Sequence, residues 1–140
     1  MKRKGLFLLV AVVLSATACS GEEERGPVVF VEQPLLVAQT DAGLTVSVWA
    51  SPQPPAVGLA AFRFGFTDAA GSPIDGLDVD VLPWMPAHGH GGSKRPTSTV
   101  TAPGVFLVDP VSFFMSGGWE LRTTIGGARN DAVTVHVDVP

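Results

Sequence analysis

Apolar and polar residues alternate with a period of two over several stretches of this chain. The stretches with the most regular alternation begin at Leu44, Phe62, Leu77, Trp119 and Val133. In an extended strand successive side chains point to opposite faces, so each stretch offers one apolar face and one polar face. Antiparallel sheets commonly bury one face and expose the other to water. The pattern therefore predicts two antiparallel sheets packed through their apolar faces.

Glycine, proline and aspartate mark the intervals between these stretches, as in SPQPPAVG, DAAGSPIDG and GGARND. Such clusters are typical of turns, and the prolines are expected between the strands rather than inside them. No stretch after residue 18 sustains the 3.6-residue apolar spacing of a helix. About seven or eight short strands with these turns predict an all-β fold, an immunoglobulin-like antiparallel β-sandwich.

The first 27 residues have the pattern of an export segment followed by a tether. Residues 2–4 are basic, residues 6–14 are apolar, and small residues then lead to Cys19, which is the order of a secretory signal. The apolar run is too short for a membrane-spanning helix, which needs about 20 residues. We expect a signal peptide over residues 1–18, a lipidated N-terminus and acidic tether over residues 19–27, and one β-sandwich domain over residues 28–140.

Cys19 is the only cysteine of the chain, and two interpretations of the preceding cleavage site stay open. Residues 16–18 fit an ordinary small-x-small site, which would leave a free thiol. The same residues resemble a bacterial lipobox, although Ala16 stands where leucine is usual. Since an unpaired thiol is a liability in an oxidising compartment, lipidation of Cys19 is favoured. We then expect an exported, membrane-anchored lipoprotein that faces the periplasm or the cell exterior.

Charge narrows the choice of partners. Removal of residues 1–18 would leave 122 residues, which suits one domain, and would take away three positive charges, so that the net charge moves from −4 to −7. No basic patch remains to neutralise phosphates, so a nucleic-acid partner is not expected. The expected partners are the membrane, through the lipid, and an envelope protein.

Two of the three histidines lie in the stretch WMPAHGHGG, residues 84–92. Because His88 and His90 are two apart, their imidazoles would point to the same side of an extended segment and converge on one ion. Thioether and imidazole together form a soft ligand set that suits copper and is poor for magnesium or calcium. The candidate metal ligands are therefore Met85, His88, His90 and Met115.

Two tryptophans lie close to these candidate ligands in sequence. Trp84 precedes Met85, and Trp119 follows Met115 by four positions. An aromatic face attracts a cation, so either ring is a candidate for capping a Cu(I) ion. A second interpretation stays open, in which the prolines end a strand, the histidines face solvent and Met115 packs in the core.

The segments MPAHGHG and APGVFLVDPVSFFMSGGWELRTTI together resemble the YtkA-like domain, a small bacterial extracytoplasmic module. That family has a Met-Pro-x-His-Gly-His type loop and a later Met-x-Gly-x-Trp segment, and FTDAAGSPIDGLDVDV resembles a hairpin of the same module. The resemblance covers residues 44–139. It implies an immunoglobulin-like sandwich outside the membrane and a relation to proteins encoded with copper-handling and respiratory-oxidase assembly components. Ala87 stands where many relatives have a second methionine.

Catalysis is not expected. The stretch HGHGGS is superficially similar to the oxyanion loop of lipases, but the chain lacks a G-x-S-x-G nucleophile elbow. Asp78 and Asp80 alternate onto a polar strand face and are expected to be solvated rather than an acid–base pair. Two function classes remain: a copper-binding or copper-delivery lipoprotein, and a non-metal module that binds another envelope protein or has a structural role.

Overall fold

The computed structural model describes residues 25–140, and Cys19 and the predicted signal peptide lie outside this range. Residues 25–140 form nine strands and no helix: β1 Leu36–Gln39, β2 Thr45–Ser51, β3 Gly58–Thr67, β4 Leu77–Met85, β5 His90–Gly91, β6 Thr97–Ala102, β7 Val105–Phe113, β8 Gly117–Gly127 and β9 Asp131–Val139. The all-β prediction is confirmed. The count exceeds the expected seven or eight, and β5, with two residues, is too short to show alternation.

The strands form two sheets in which every pair is antiparallel. One sheet has five strands in the order β1-β2-β3-β7-β6, and the other has four in the order β5-β4-β8-β9. This is the architecture of an immunoglobulin-like sandwich, as the alternating pattern predicts. Within residues 25–140 there is no helix of the length and hydropathy needed to cross a membrane.

The core lies between the two sheets and is rich in aromatic side chains. Phe62, Phe64 and Phe66 of β3 are buried, as are Trp119 of β8 and Val135 of β9. Their positions are those that the period-two pattern assigns to the apolar faces. Each such side chain stabilises the fold by about 1.5–3 kcal/mol relative to an exposed one.

Two prolines lie inside strands, where the sequence pattern places none. Pro83 lies in β4 and Pro110 in β7. The carbonyl of Pro83 accepts a hydrogen bond from Gly92, so the proline nitrogen faces the same side, away from β8. The missing N–H therefore costs no bond of the β4–β8 ladder. Pro110 lies where the β3–β7 pairing is irregular, which is a tolerated site for proline.

The β1–β2 turn is fastened to the start of β9 by a buried polar cluster. The carboxylate of Asp131 accepts hydrogen bonds from the Thr40 hydroxyl and from the backbone N–H groups of Ala42 and Ala132. The backbone N–H of Asp41 also donates to the carbonyl of Ala132, at 2.9 Å. These bonds connect the five-stranded sheet to the edge of the four-stranded sheet.

Candidate functional site

The stretch 84–92 is a hairpin at one end of the four-stranded sheet. Met85 of β4 is paired with His90 of β5, and residues 86–89 form the turn between them. The carbonyl of Met85 accepts from the N–H groups of His88 at 3.2 Å and of Gly89 at 3.0 Å. Gly89 has a φ of +68°, which only glycine adopts readily, and so it lets the chain reverse. The turn is therefore ordered by its own backbone.

The two histidines of this hairpin lie side by side at the surface. His88 and His90 are both exposed, and their ring centroids are 5.7 Å apart. Two imidazoles bound to one ion at about 2.0 Å have ring centroids about 5–6 Å apart. The two rings are therefore close neighbours, and a turn rather than one extended segment brings them together. Their convergence on one ion stays a prediction.

Phe114 joins the hairpin to the connection between β7 and β8. Its ring stacks on the imidazole of His90 at 5.3 Å, and it meets the edge of Trp119 at 5.0 Å. The side chain stays 42% exposed. Sequence reasoning did not select Phe114, although strand alternation after the buried Phe113 placed one ring of the Phe-Phe pair outside the core. The ring restricts the orientation of the His90 imidazole.

Met85 lies in the core, directly beneath the hairpin. Its side chain is 2% exposed, and a Cβ atom at Gly117 would lie only 3.0 Å from its Cε. The absence of a side chain at Gly117 thus makes room for the end of this methionine. Because the thioether is enclosed by the core, it is not open to an ion at the surface of the hairpin.

Met115 and Trp119 are held together at the start of β8. The Nε1 of Trp119 donates a hydrogen bond to the carbonyl of Met115 at 3.1 Å, and the ring is 1% exposed. The Met115 side chain is half-buried and packs against the core. Met115 is therefore the more accessible of the two candidate thioethers, and it follows directly after the exposed ring of Phe114.

Trp84 precedes Met85 in β4, and its ring is already in contact with a cation. The guanidinium of Arg122 sits 4.7 Å from its ring centroid, and Arg122 also forms an ion pair with Glu120 at 2.8 Å. The two candidate capping rings are thus in different settings, one beneath a guanidinium and the other in the core. The aromatic ring in contact with an imidazole is that of Phe114.

The positive charges of Lys94 and Arg95, just after the hairpin, are partly balanced by the carboxylate of Asp80. Arg95 donates from Nε to a carboxylate oxygen of Asp80 at 3.0 Å, and this hydrogen bond raises the pKa of Arg95 above its ordinary value. Asp80 thus lies exposed on its strand face, as expected, and its charge is balanced by Arg95. Lys94 is exposed beside this pair.

The third histidine, His136, lies close to the same end of the sheet. A shallow groove of about 280 Å³ runs between the hairpin turn and β9, lined by Pro86, Ala87, Gly118, Trp119, Glu120, His136, Val137 and Asp138. Nevertheless, residues 25–140 contain no group of three or more histidine, cysteine, aspartate and glutamate side chains placed to hold one metal ion. Any ion at the hairpin would therefore depend on two imidazoles and on thioether sulfur.

A known protein family matches the part of the chain that carries this hairpin. The sequence pattern that defines the YtkA-like family matches residues 38–124, from β1 into β8, which is more than half of the chain. The chain belongs to the YtkA-like family. This confirms the resemblance drawn from the His-Gly-His loop and the Met-x-Gly-x-Trp segment, both of which lie within the YtkA-like match. Neither a curated protein nor a solved structure matches the chain.

Proposed function

We propose that this YtkA-like protein binds copper at the β4–β5 hairpin and passes it to another protein outside the cytoplasmic membrane. The observation that carries the proposal is the pair of exposed imidazoles of His88 and His90, whose rings are 5.7 Å apart on an ordered turn. Imidazole nitrogen is a good ligand for copper. Both rings are open to solvent, so the ion would be reachable by a second protein.

The ligand set favours an open site with exchangeable ligands. Two imidazoles fill only part of a copper coordination shell, and we assign the third position in the Cu(I) form to the thioether of Met115. Met85 is the alternative third ligand, but it is enclosed by the core and by Gly117. A site with few protein ligands and an exposed face suits transfer, because the acceptor's ligands replace them one at a time.

The test is a competition titration of the chain from Gly21 to Pro140 with Cu(I) under anaerobic reducing conditions against a calibrated chelator. The His88→Ala/His90→Ala double variant is expected to bind at least about tenfold more weakly, a change of about 1.4 kcal/mol or more. His136→Ala is the matched control, since it removes an exposed imidazole from β9 and is expected to leave the affinity unchanged.

Equal competition by wild type and double variant, in Cu(I) and in a parallel Cu(II) titration, would refute the copper proposal. A second candidate function would then take its place: a non-metal contact surface for another envelope protein. The exposed ring of Phe114 beside His90 favours this alternative, because a large aromatic side chain at the surface is a common interface anchor. Phe114→Ala would then abolish binding of that protein, with or without copper.

We also propose that the chain is exported and anchored through a lipid on Cys19. The support is the order of basic, apolar and small residues before the single cysteine. Metabolic labelling with a fatty acid in a bacterial host is expected to mark the wild-type chain and not the Cys19→Ser variant. Absence of label on the wild type would leave the ordinary signal-peptide interpretation.

A further inference from the structure

The two ends of the sandwich differ in the charge of their connections. One end, called here the hairpin end, carries the connections β2–β3, β4–β5 and β7–β8, which are residues 52–57, 86–89 and 114–116. These three connections contain no aspartate or glutamate. The turns of the opposite end contain three carboxylates and one cation, namely those of Asp41, Asp68, Asp75 and Arg129. The acidic charge of the turns is thus concentrated away from the hairpin.

Exposed apolar side chains show the reverse distribution. Val57 and Phe114 are both exposed, and they adjoin Gly58 and Phe113, which are paired where β3 begins and β7 ends. Val57 also lines an open groove of about 730 Å³ together with the exposed Val29. No exposed large apolar side chain of residues 25–140 lies in the turns of the opposite end. The hairpin end therefore offers apolar surface without acidic groups in its connections.

The first residue that the structure describes, Arg25, lies beside the hairpin end. It lines the same groove as Val57, and its guanidinium donates to the carboxylate of Asp109 in β7 at 3.0 Å. Cys19 precedes Arg25 by six positions, and six residues span at most about 21 Å even when fully extended. By comparison, β3 with its ten residues is about 34 Å long. A lipid on Cys19 would therefore keep the hairpin end close to the bilayer, while the opposite end can stand clear of it.

We propose that the hairpin end docks on the lipid surface, with Val57 and Phe114 in contact with it and the acidic turns pointing away. This orientation rests on the lipidation of Cys19 proposed above. Apolar side chains gain free energy at the boundary between headgroups and acyl chains, and a surface with anionic headgroups repels the carboxylates of the opposite end. The glutamates at 22–24 belong to the tether whichever end faces the lipid, so they favour neither orientation.

Docking at this end would bring the two exposed imidazoles close to the membrane. His88 lies in the β4–β5 turn, and His90 directly follows that turn and stacks on Phe114 at 5.3 Å. An ion held by these imidazoles would be presented at the lipid surface rather than far above it. The copper acceptor of the proposed function would then be a protein embedded in or attached to the same membrane.

The test compares fluorescent probes at the two ends of the lipidated chain. Because Cys19 is the only native cysteine and is acylated in that chain, Ala87→Cys or Ala70→Cys supplies the single free thiol for a donor dye. Both positions are exposed turn residues, one at each end. The chain, purified from membranes in mild detergent, is added to preformed liposomes of phosphatidylethanolamine and phosphatidylglycerol that carry an acceptor-labelled lipid. Energy transfer is expected to be at least about twofold more efficient from Ala87→Cys, because its dye lies closer to the lipid by about the length of a strand.

A second pair of variants tests the apolar contact itself. Val57→Glu is expected to lower the energy transfer from a dye at Ala87→Cys, because a carboxylate at the lipid surface opposes docking. Val100→Glu is the matched control and is expected to leave the transfer unchanged, since Val100 is 60% exposed against 51% for Val57 and pairs with Phe106 in the half of β7 remote from the hairpin.

The outcomes separate this orientation from the lipidation on which it rests. Equal transfer from both ends, or greater transfer from Ala70→Cys, on a chain with confirmed fatty-acid label would overturn the orientation and leave lipidation standing. Equal effects of Val57→Glu and Val100→Glu would overturn the contact at the hairpin end. Absence of fatty-acid label on the wild-type chain would overturn lipidation and the orientation together.

Discussion

Met85 and His90 lie directly opposite each other in the β4–β5 hairpin, yet one is enclosed and the other is exposed. The difference arises at the sandwich end, where β4 still covers the core while β5 lies at the sheet edge. His90 also stacks on Phe114, whereas Met85 fills the space left by Gly117. At the scale of single residues, the candidate site is thus a pair of imidazoles above a methionine that packs in the core.

Replacing Met115 by leucine is expected to weaken Cu(I) binding by about tenfold and to leave Cu(II) binding unchanged, because a thioether is a soft ligand that selects Cu(I). Met85→Leu is the matched control and is expected to change neither affinity, since this side chain is buried. The measurement is the competition titration in both oxidation states. A larger Cu(I) loss for Met85→Leu than for Met115→Leu would reverse the assignment of the third ligand.

The carboxylate of Asp131 makes stability depend on pH. Burial by itself raises the pKa of Asp131, but hydrogen bonds from Thr40 and from the N–H groups of Ala42 and Ala132 outweigh burial and hold the pKa below its ordinary value. The ionised form therefore stabilises the native state, fully so above the unfolded pKa of about 3.9. This stabilisation is lost as the pH falls through the lower pKa of the folded state.

Asp131→Asn is expected to lower the free energy of unfolding by about 1–3 kcal/mol at pH 7, because the amide accepts fewer of the hydrogen bonds. The deficit relative to wild type should shrink as the pH falls from about 4, where the carboxylate of the unfolded chain takes up a proton, through the lower pKa of the folded state. Urea unfolding at several pH values measures both effects. Asp138→Asn, an exposed change on the same strand, is the control, and an equal deficit in it would contradict this account.

At the scale of elements, the hairpin that carries the histidines depends on two glycines for different reasons. Gly89 has a positive φ with open space around it, whereas a Cβ at Gly91 would lie 2.8 Å from the carbonyl oxygen of Pro83. Side chains are thus strained at the first position and obstructed at the second. The close approach at Gly91 lets β5 pair with β4 just where Pro83 leaves one edge of β4 without a donor.

Gly91→Ala is expected to separate β5 from β4 and to weaken copper binding, because the backbone must move away from the Pro83 carbonyl. Hydrogen exchange at the Gly92 amide, which donates to Pro83 at 3.3 Å, should become faster. Gly118→Ala provides a control in β8, where an added Cβ would meet only the Asp138 carboxylate, at an ordinary contact distance of 3.8 Å. Unchanged exchange at Gly92 in the Gly91→Ala variant would show that the contact is easily relieved.

At the scale of the whole molecule, one core joins the two sheets, and the site lies at one end of it. Phe113 of the five-stranded sheet meets Trp119 of the four-stranded sheet at 5.2 Å, edge to face. Trp119 in turn contacts Phe114, which stacks on His90. The position of the exposed imidazole is therefore tied to packing between the sheets.

Phe64→Ala is expected to lower the free energy of unfolding by about 3–5 kcal/mol, because Phe64 is fully buried between the sheets and its loss leaves a cavity. Phe114→Ala is the matched control, since its ring is 42% exposed, and it should cost far less. Denaturant unfolding of both variants gives the comparison. Similar losses in the two variants would mean that the ring of Phe114 contributes to the core.

Much of this architecture was predictable because strand alternation reports burial directly. The period-two pattern located the cores of β2, β3, β4, β8 and β9. The closeness of His88 and His90 was also predictable from their spacing, whereas metal binding by this pair stays a prediction. The pattern gave no signal for the two-residue β5, and it missed Pro83 and Pro110 because proline is acceptable in a strand wherever its nitrogen has no partner to lose. Whether the proline nitrogen has a partner to lose depends on the neighbouring strands, and the local sequence does not identify those.

The sequence by itself determined the all-β class, the alternating faces, the family and the residue types of the candidate site. Those properties depend on local spacing and composition, which are visible along the chain before its folding is known. Only the tertiary structure decided that Phe114 stacks on His90, that Met85 is enclosed, and that β9 lies at an edge of the four-stranded sheet. Each of these depends on contacts between residues far apart in the chain, and burial of a side chain is set by those contacts rather than by its neighbours in sequence.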